Sequence, residues 1–417
     1  MPRLPFARAE FPRLLPIVLI QATGLVCGLI GVHLTSRLVA PADYGMYGVF
    51  VSLTPLGFGV IYAGLVKYLG RHWQTAPDRP GLLRATLRLT AKKLPWLILA
   101  SALVTVAAAP KHPLGFGAVL LVGAVLLTLT TLAQTALQAA REHWRDFGVS
   151  AVIAIVRAFA PPLLYVATGA GLAALLGGYL LHAVLGTVIA AVMLWRWRPR
   201  PQAHAAAPVA PPSVYEGPLF VVLAVAGWVL AGLNRWLAVW FFQAETAGYF
   251  TLAANIATIL PSMLGTMALQ YLQPVWFSRR YETPVERAAL LGQADRVAAL
   301  YTVGALAVAG ALQGVLPLLY GTLLSPRYAG AADFVLAAGF STTAFTTGFF
   351  YHNALLAAQR ERACGPADLG GAACLVIGAA LAAWAGQVWF VRWLLFTPAV
   401  PWLVNRTLAR RALLSPA

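Results

Sequence analysis

Four cationic side chains stand within stretches of the sequence that are otherwise apolar. Arg157 lies in the middle of one stretch, Arg235 lies in another, and Lys67 and Arg392 lie nearer the ends of two more. A charge inside hydrocarbon costs several kcal/mol, so such a side chain must face water, backbone carbonyls or a ligand. Because a guanidinium is a planar fork of donors, the chemistry predicted for the two arginines is the binding of an anion.

The acidic residues do not accompany these cations. The 13 Asp and Glu residues fall in predicted loops or tails or, as Asp368 does, at the very start of a span. No carboxylate in an apolar stretch is therefore expected to neutralise Arg157 or Arg235, and the sequence predicts a basic central cavity. The candidate substrate-binding residues of this cavity are Arg157, Arg235, Asn234, Arg37 and Lys67.

The two central arginines also have structural interpretations. Arg157 precedes the pair Pro161-Pro162, which frees backbone carbonyl groups that a guanidinium can bond. Arg235 can instead contact Glu245 at the end of its helix. Both interpretations stay open at the level of sequence.

The cations nearer the helix ends have similar alternatives. Lys67 and Arg392 can extend their aliphatic stems along the apolar surface and place their charge at the membrane interface. Arg37 can pair with Asp43 outside the membrane. For these residues the structural interpretation competes directly with substrate binding.

The composition of this chain is typical of a membrane protein. Of its 417 residues 60% are hydrophobic and 10% are charged, whereas soluble domains carry about a quarter of charged residues. The net charge of +17 follows the predicted loops, which favours a membrane over nucleic acid. Three scattered cysteines without ligand spacing predict neither disulfides nor a metal site, and no cofactor is expected.

Apolar segments long enough to cross a bilayer recur along the whole chain. They predict an all-α polytopic membrane protein with about 12 spans, at residues 14–38, 45–69, 94–109, 115–140, 148–168, 172–195, 218–243, 248–273, 298–320, 334–358, 367–384 and 388–405. Most Lys and Arg residues fall on one side of these spans, and only Arg37, Lys111 and Arg327 on the other. The positive-inside rule therefore places both termini in the cytoplasm.

The chain divides into two similar halves. A Pro- and Ala-rich segment predicts a cytoplasmic linker at 201–217 between an N-terminal six-helix lobe at 1–200 and a C-terminal one at 218–417. An even number of spans in each half predicts lobes related by a parallel pseudo-two-fold. Gly45 and Gly248 open the second span of each half, where a residue without Cβ is expected to permit the chain reversal.

Short motifs at the predicted outer loops carry a family resemblance. They are residues 36–47 (SRLVAPADYGMY), 245–249 (ETAGY) and 320–331 (YGTLLSPRYAGA). With these motifs in this order relative to the spans, the chain resembles the polysaccharide transporter and O-antigen flippase branch of the multidrug/oligosaccharidyl-lipid/polysaccharide exporter superfamily. The resemblance implies a flippase that moves an isoprenoid-diphosphate-linked oligosaccharide across the bacterial inner membrane by alternating access. Its implied partners are that lipid-linked oligosaccharide, membrane lipids and glycan polymerase or assembly proteins.

Other functions compete with this interpretation. A multidrug or cation antiporter of the same superfamily shares the architecture, but coupling usually uses an intramembrane carboxylate, which the sequence is not expected to supply. A membrane glycosyltransferase or polymerase would need acidic residues in a large outer loop, and a channel is compatible with the composition. The motifs GxxxxGK[ST], HExxH and GxSxG are missing from the sequence. No catalytic residues are predicted, and the chain is not expected to be an enzyme.

Overall fold

The computed structural model of the chain describes residues 11–73, 76, 78–108, 113–197, 218–277, 279, 281–360, 363–396 and 399–414. The first half contains α1 (Phe11–Leu38), α2 (Pro41–His72), α3 (Arg79–Lys92), α4 (Leu94–Ala108), α5 (Pro113–Ala139), α6 (His143–Thr168) and α7 (Leu172–Trp197). The second half contains α8 (Pro218–Ala231), α9 (Leu233–Phe241), α10 (Ala244–Phe277), α11 (Pro284–Leu319), α12 (Ala332–Ala357), α13 (Cys364–Trp384), α14 (Gln387–Phe396) and α15 (Ala399–Leu414). A 3₁₀ turn at Pro326–Ala331 precedes α12.

The helices follow the predicted spans, which confirms the all-α membrane fold. Among the described residues eight helices are long and apolar enough to cross a membrane, and Leu369–Trp384 forms a shorter apolar helix. The other predicted spans correspond to the 15-residue α4, to α8 with α9, and to α14 with α15. A span at 218–243 is broken because α8 ends before Gly232 and α9 begins after it. The predicted linker at 201–217 lies outside the described residues.

Local sequence signals set two of the connections at the end of the bundle where α1 begins, here called the terminal face. Helix α3 starts at the N-cap Asp78, whose side chain accepts from the Gly81 amide. It buries Leu82, Thr86 and Thr90 along one side, as an amphipathic surface helix does. Helix α11 starts with a capping box between Thr283 and Glu286, which satisfies amides that a helix start leaves without partners.

Each half of the chain packs into its own bundle, and a few helices join the two. In the first half α6 packs on α1 and α7, and α5 packs on α2, α4 and α7. In the second half α12 packs on α10, α11, α14 and α15. Helices α1 and α2 of the first bundle lie against α10, and α2 also lies against α8. These helices therefore form the interface at which any cavity between the bundles must lie.

Gly45 and Gly248 form the closest approach between the two bundles. Neither has a positive φ, so the prediction that they permit a chain reversal is wrong: both lie within helices, near the starts of α2 and α10. A Cβ on Gly45 would stand 2.0 Å from the Ala244 carbonyl oxygen, and one on Gly248 would stand 2.0 Å from that of Pro41. The reciprocal contacts show that lack of a side chain lets two equivalent helix starts cross.

Hydrogen bonds to backbone carbonyls reinforce this crossing at the end of the bundle opposite the terminal face, here called the opposite face. Arg37 Nη2 donates to the Thr322 oxygen at 2.5 Å, and Arg327 Nε donates to the Ser36 oxygen at 3.0 Å. The Tyr328 hydroxyl donates to the Val39 oxygen at 3.2 Å. Each bond joins the first half to the second, so the two bundles are closed against each other at this face.

We expect alanine at either crossing glycine to destabilise the protein. In Gly45→Ala the new methyl group overlaps a backbone oxygen that cannot rotate away, so the helices must separate, at a cost of about 1–3 kcal/mol. Thermal unfolding in detergent, followed by tryptophan fluorescence, measures the loss. The control is Gly304→Ala in α11, where a Cβ meets nothing within 4 Å. Equal melting temperatures for both variants and the unmodified protein would contradict the crossing.

Candidate functional site

A cavity of about 660 Å³ lies between the two bundles. It is walled mainly by α1, α2, α6 and α10, and its lining includes both central arginines. The polar residues of the wall are Gln21, Thr35, Tyr44, Tyr47, Ser52, Gln134, Ser150, Arg157, Arg235, Thr251, Asn255, Thr258, Ser262 and Thr266. No Asp or Glu is found among the described residues that line it, so the cavity wall is positively charged.

Arg157 is carried into the cavity by the packing of α6. Gly31 of α1 lies against Ala158, since a Cβ on Gly31 would stand 3.2 Å from the Ala158 Cα. On another side α7 approaches more closely, since a Cβ on Gly178 would stand 2.5 Å from the Pro161 Cα. The Arg157 side chain is exposed and lines the cavity. Within the described part of the chain it makes no hydrogen bond or ion pair, so bonding to carbonyls freed by Pro161-Pro162 is not what holds it.

Arg235 is positioned by tryptophans that fasten α8 and α9 to α2. The indole Nε1 of Trp228 donates to the Ser52 carbonyl at 2.8 Å, and that of Trp236 donates to the Ser52 hydroxyl at 3.0 Å. Arg235 is the residue next to Trp236, and it is half-buried on the cavity wall. Residue 235 therefore reaches the cavity because the broken seventh span is tied to the opposite bundle.

Tyr44 lines the same cavity as the two arginines. Its hydroxyl accepts a hydrogen bond from the Asn255 amide of α10, and its ring stacks on Tyr47 with centroids 5.8 Å apart. Because Arg157 and Arg235 are both positively charged and both line this cavity, an anion inside the cavity is attracted by both.

The other candidate residues do not join this cluster. Arg37 is exposed at the opposite face and bonds to the carbonyls of Gly321 and Thr322 rather than to Asp43. Lys67 is half-buried in the half of α2 nearer the terminal face, away from the residues that line the cavity. Asn234 is buried, outside the lining, with its Oδ1 unpartnered among the described residues. The structure thus brings together only Arg157 and Arg235 of the five.

One expectation about the acidic residues is wrong. Asp146 lies within α6, not in a loop, and only 1% of it is exposed. Its carboxylate accepts from Gln134 Nε2 at 3.2 Å and from Gln138 Nε2 at 2.9 Å. Asp146 was assigned to a loop because the predicted span begins at residue 148, whereas α6 begins five residues earlier, at His143. Asp146 does not line the cavity, so it does not neutralise the cavity wall.

Comparison with known proteins identifies the family. The sequence model of a family described as "Polysaccharide biosynthesis protein" matches residues 34–322. This chain belongs to the polysaccharide biosynthesis protein family. The match confirms the resemblance noted in the sequence, and it includes the Arg37 motif, Arg157 and Arg235. A search of curated sequences finds no significant match.

Solved structures share the fold of this polysaccharide biosynthesis protein at low sequence identity. A MATE protein in the straight conformation has 12% identity and a TM-score of 0.64 over 97% of this chain and 96% of its own. The lipid II flippase MurJ in an inward closed conformation has 10% identity and a TM-score of 0.62 over 93% and 86%. An inward-facing multidrug resistance MATE transporter of the MOP superfamily has 11% identity and a TM-score of 0.62 over 96% and 100%. The two-lobe exporter fold is therefore confirmed.

Sequence reasoning missed the uncharged part of the site. Tyr44, Asn255, Gln134 and Ser150 line the cavity, yet none was a candidate. A signal was present, because Gln134 and Gln138 are spaced four apart and so share one side of α5 in an otherwise apolar helix. Polar side chains in a span are informative, but only the packing of the helices shows which of them face the same space.

We expect this family member to bind a small polyanion through Arg157. Removing a charged donor that contacts an anion costs about 1.5–3 kcal/mol, so Arg157→Ala should weaken the binding of inorganic diphosphate roughly 10- to 100-fold. Isothermal titration calorimetry on the detergent-solubilised protein measures this change. Arg392→Ala is the control, because Arg392 stacks on Trp389 outside the cavity lining. A similar affinity in both variants would contradict an anion site at Arg157.

Proposed function

We propose that this protein is a flippase that moves an isoprenoid-diphosphate-linked oligosaccharide across the bacterial inner membrane by alternating access. The observation that carries the proposal is that Arg157 and Arg235 line one cavity between the bundles. No carboxylate lines that cavity among the described residues. The diphosphate of a lipid carrier supplies the missing negative charge, since guanidinium forks match pairs of phosphate oxygens.

The sign of the cavity wall also separates this proposal from its nearest rival. A multidrug or cation antiporter must bind a positive substrate, and two arginines in a low-dielectric wall repel one. The argument that no carboxylate exists inside a span no longer applies, because Asp146 is buried in α6. That carboxylate is held by two glutamines behind the wall, so it offers no direct contact to a cationic drug.

Transport requires the contact between the bundles to change. We infer that the N-terminal lobe, residues 1–200, rocks against the C-terminal lobe, residues 218–417, with 201–217 as the linker. The bonds from Arg37, Arg327 and Tyr328 across the opposite face would break as the cavity opens there. All three acceptors are backbone carbonyls, which water can satisfy once the face opens, so the cost of separation stays small.

The direction of transport follows from the distribution of charge. With both termini in the cytoplasm, as the positive-inside rule gives, the opposite face is the outer one and the cargo is loaded from the terminal face. The lipid tail then stays in the bilayer, and glycan polymerase or other assembly proteins receive the product outside. The protein acts on no covalent bond in this scheme, which distinguishes it from a membrane glycosyltransferase or polymerase.

We expect the double variant Arg157→Ala/Arg235→Ala to insert into membranes and to lose transport. Proteoliposomes loaded with fluorescent lipid-linked oligosaccharide report flipping as the fraction that becomes accessible to an added glycosidase. Arg157→Lys keeps the charge without the fork, so its rate should fall between those of the unmodified protein and the double variant. A normal flipping rate in the double variant would contradict the assignment of the site. Uptake of cationic dyes by the unmodified protein, without flipping of the lipid-linked oligosaccharide, would favour the antiporter.

A further inference from the structure

Gln134 presents a carbonyl oxygen to the cavity. A carboxamide has two N–H donors and one oxygen acceptor, and both donors of Gln134 are used inside the protein. Its Nε2 donates to Asp146 Oδ1 at 3.2 Å and to Ser150 Oγ at 2.9 Å. No partner for its Oε1 is found within the described residues, and Gln134 lines the cavity. The oxygen is therefore the part of the amide that a ligand can use.

Asp146 fixes this orientation. A carboxylate only accepts hydrogen bonds, so the amide that faces it must present nitrogen and not oxygen. The second oxygen of Asp146 accepts from Gln138 Nε2 at 2.9 Å, which places the carboxylate between two amides on α5. Because Asp146 is 1% exposed, water does not compete for these bonds. Asp146 is thus a positioning residue for Gln134.

Ser150 adds a donor beside this acceptor. Its oxygen accepts from Gln134, and its own proton remains available, because Ser150 donates no hydrogen bond within the described part of the chain. Ser150 also lines the cavity. Gln134 and Ser150 therefore offer one acceptor and one donor side by side, both uncharged. A sugar hydroxyl both donates and accepts, so this pair matches it, whereas a phosphate would leave the acceptor facing negative charge.

One member of the neutral pair, Ser150, is separated along α6 from Arg157 of the charged pair. Ser150 and Arg157 both line the wall from α6 and are seven residues apart, which is two helical turns, or about 10 Å. Ser150 lies on the side of the terminal face, where α6 begins. A ligand that spans both pairs must carry an anion at one end and hydroxyl groups at the other.

We propose that Gln134 and Ser150 form a glycan subsite that binds hydroxyl groups of the sugar residues nearest the diphosphate. The inference rests on the proposed function, since it takes Arg157 and Arg235 as the diphosphate subsite. It adds that two neutral side chains recognise the sugar and that Asp146 orients one of them, Gln134. The glycan extends from the arginines toward the terminal face.

The test compares two ligands on one set of variants. The ligands are an isoprenyl diphosphate without sugar and the same lipid carrying its oligosaccharide, each titrated into the detergent-solubilised full-length protein. In Gln134→Met/Ser150→Ala two neutral hydrogen bonds are lost, so affinity for the oligosaccharide form should fall about tenfold. Affinity for the bare diphosphate should stay within about twofold. The matched control is Gln313→Met, because Gln313 donates to Ala332 and does not line the cavity.

Asp146→Leu tests the positioning role. A leucine accepts no hydrogen bond, so the Gln134 amide loses the group that holds its nitrogen away from the cavity. The ratio of the two affinities should then shift against the oligosaccharide form by several-fold, as in the Gln134 variant. A variant that was only less stable would bind both ligands equally less well, and the ratio would not move.

Each result decides between the subsite and the function on which it rests. An equal loss for both ligands, or no loss for either, in Gln134→Met/Ser150→Ala would overturn the glycan subsite without contradicting the role proposed for Arg157 and Arg235. An unmodified protein that binds both lipids with the same affinity would do the same. An unmodified protein that binds neither lipid would end the proposed flippase function and the subsite together.

Discussion

A positive charge in the middle of a helix bundle is the constraint on which this structure depends. Arg157 lines the interface cavity without a carboxylate partner among the described residues. A charge in that position is tolerable only where water or an anion can reach it, so the bundles cannot close around it as an ordinary apolar core would. The cavity, the second arginine at its wall and the separation of the two halves are consequences of accommodating that charge.

Closure at one face allows the rest of the interface to stay open. Gly45 and Gly248 bring two helix starts into backbone contact, and the hydrogen bonds beside them end on carbonyl oxygens of the other half. Such bonds depend little on side-chain packing and exchange readily with water. The bonds that close the opposite face can therefore be replaced by bonds to water, as the proposed alternating access requires.

The cavity is chemically divided, and the division accounts for the buried acid. Arg157 and Arg235 charge one part of the wall, while Gln134 and Ser150 make another part neutral but capable of hydrogen bonding. Asp146 stands behind the neutral part, where two glutamine amides satisfy it. If it faced the cavity, it would offset part of the positive charge of the wall. The fold thus accommodates charges of both signs, because the Asp146 carboxylate lies behind the residues that line the cavity.

The sequence by itself determined the membrane fold, the order of the spans and the location of Arg157 and Arg235 within spans. Hydropathy and charge are local properties, and each segment enters the bilayer according to its own composition. It did not determine which polar residues share the cavity. Arg37 bonds at the opposite face, whereas Gln134, from a helix without charge, joins the wall. Only tertiary packing decided this, since the direction in which a side chain points depends on how its helix is rotated against its neighbours. The glycine crossing shows the same limit. The sequence shows that residues 45 and 248 are glycines, but it does not show that these two residues, 203 positions apart, are in contact.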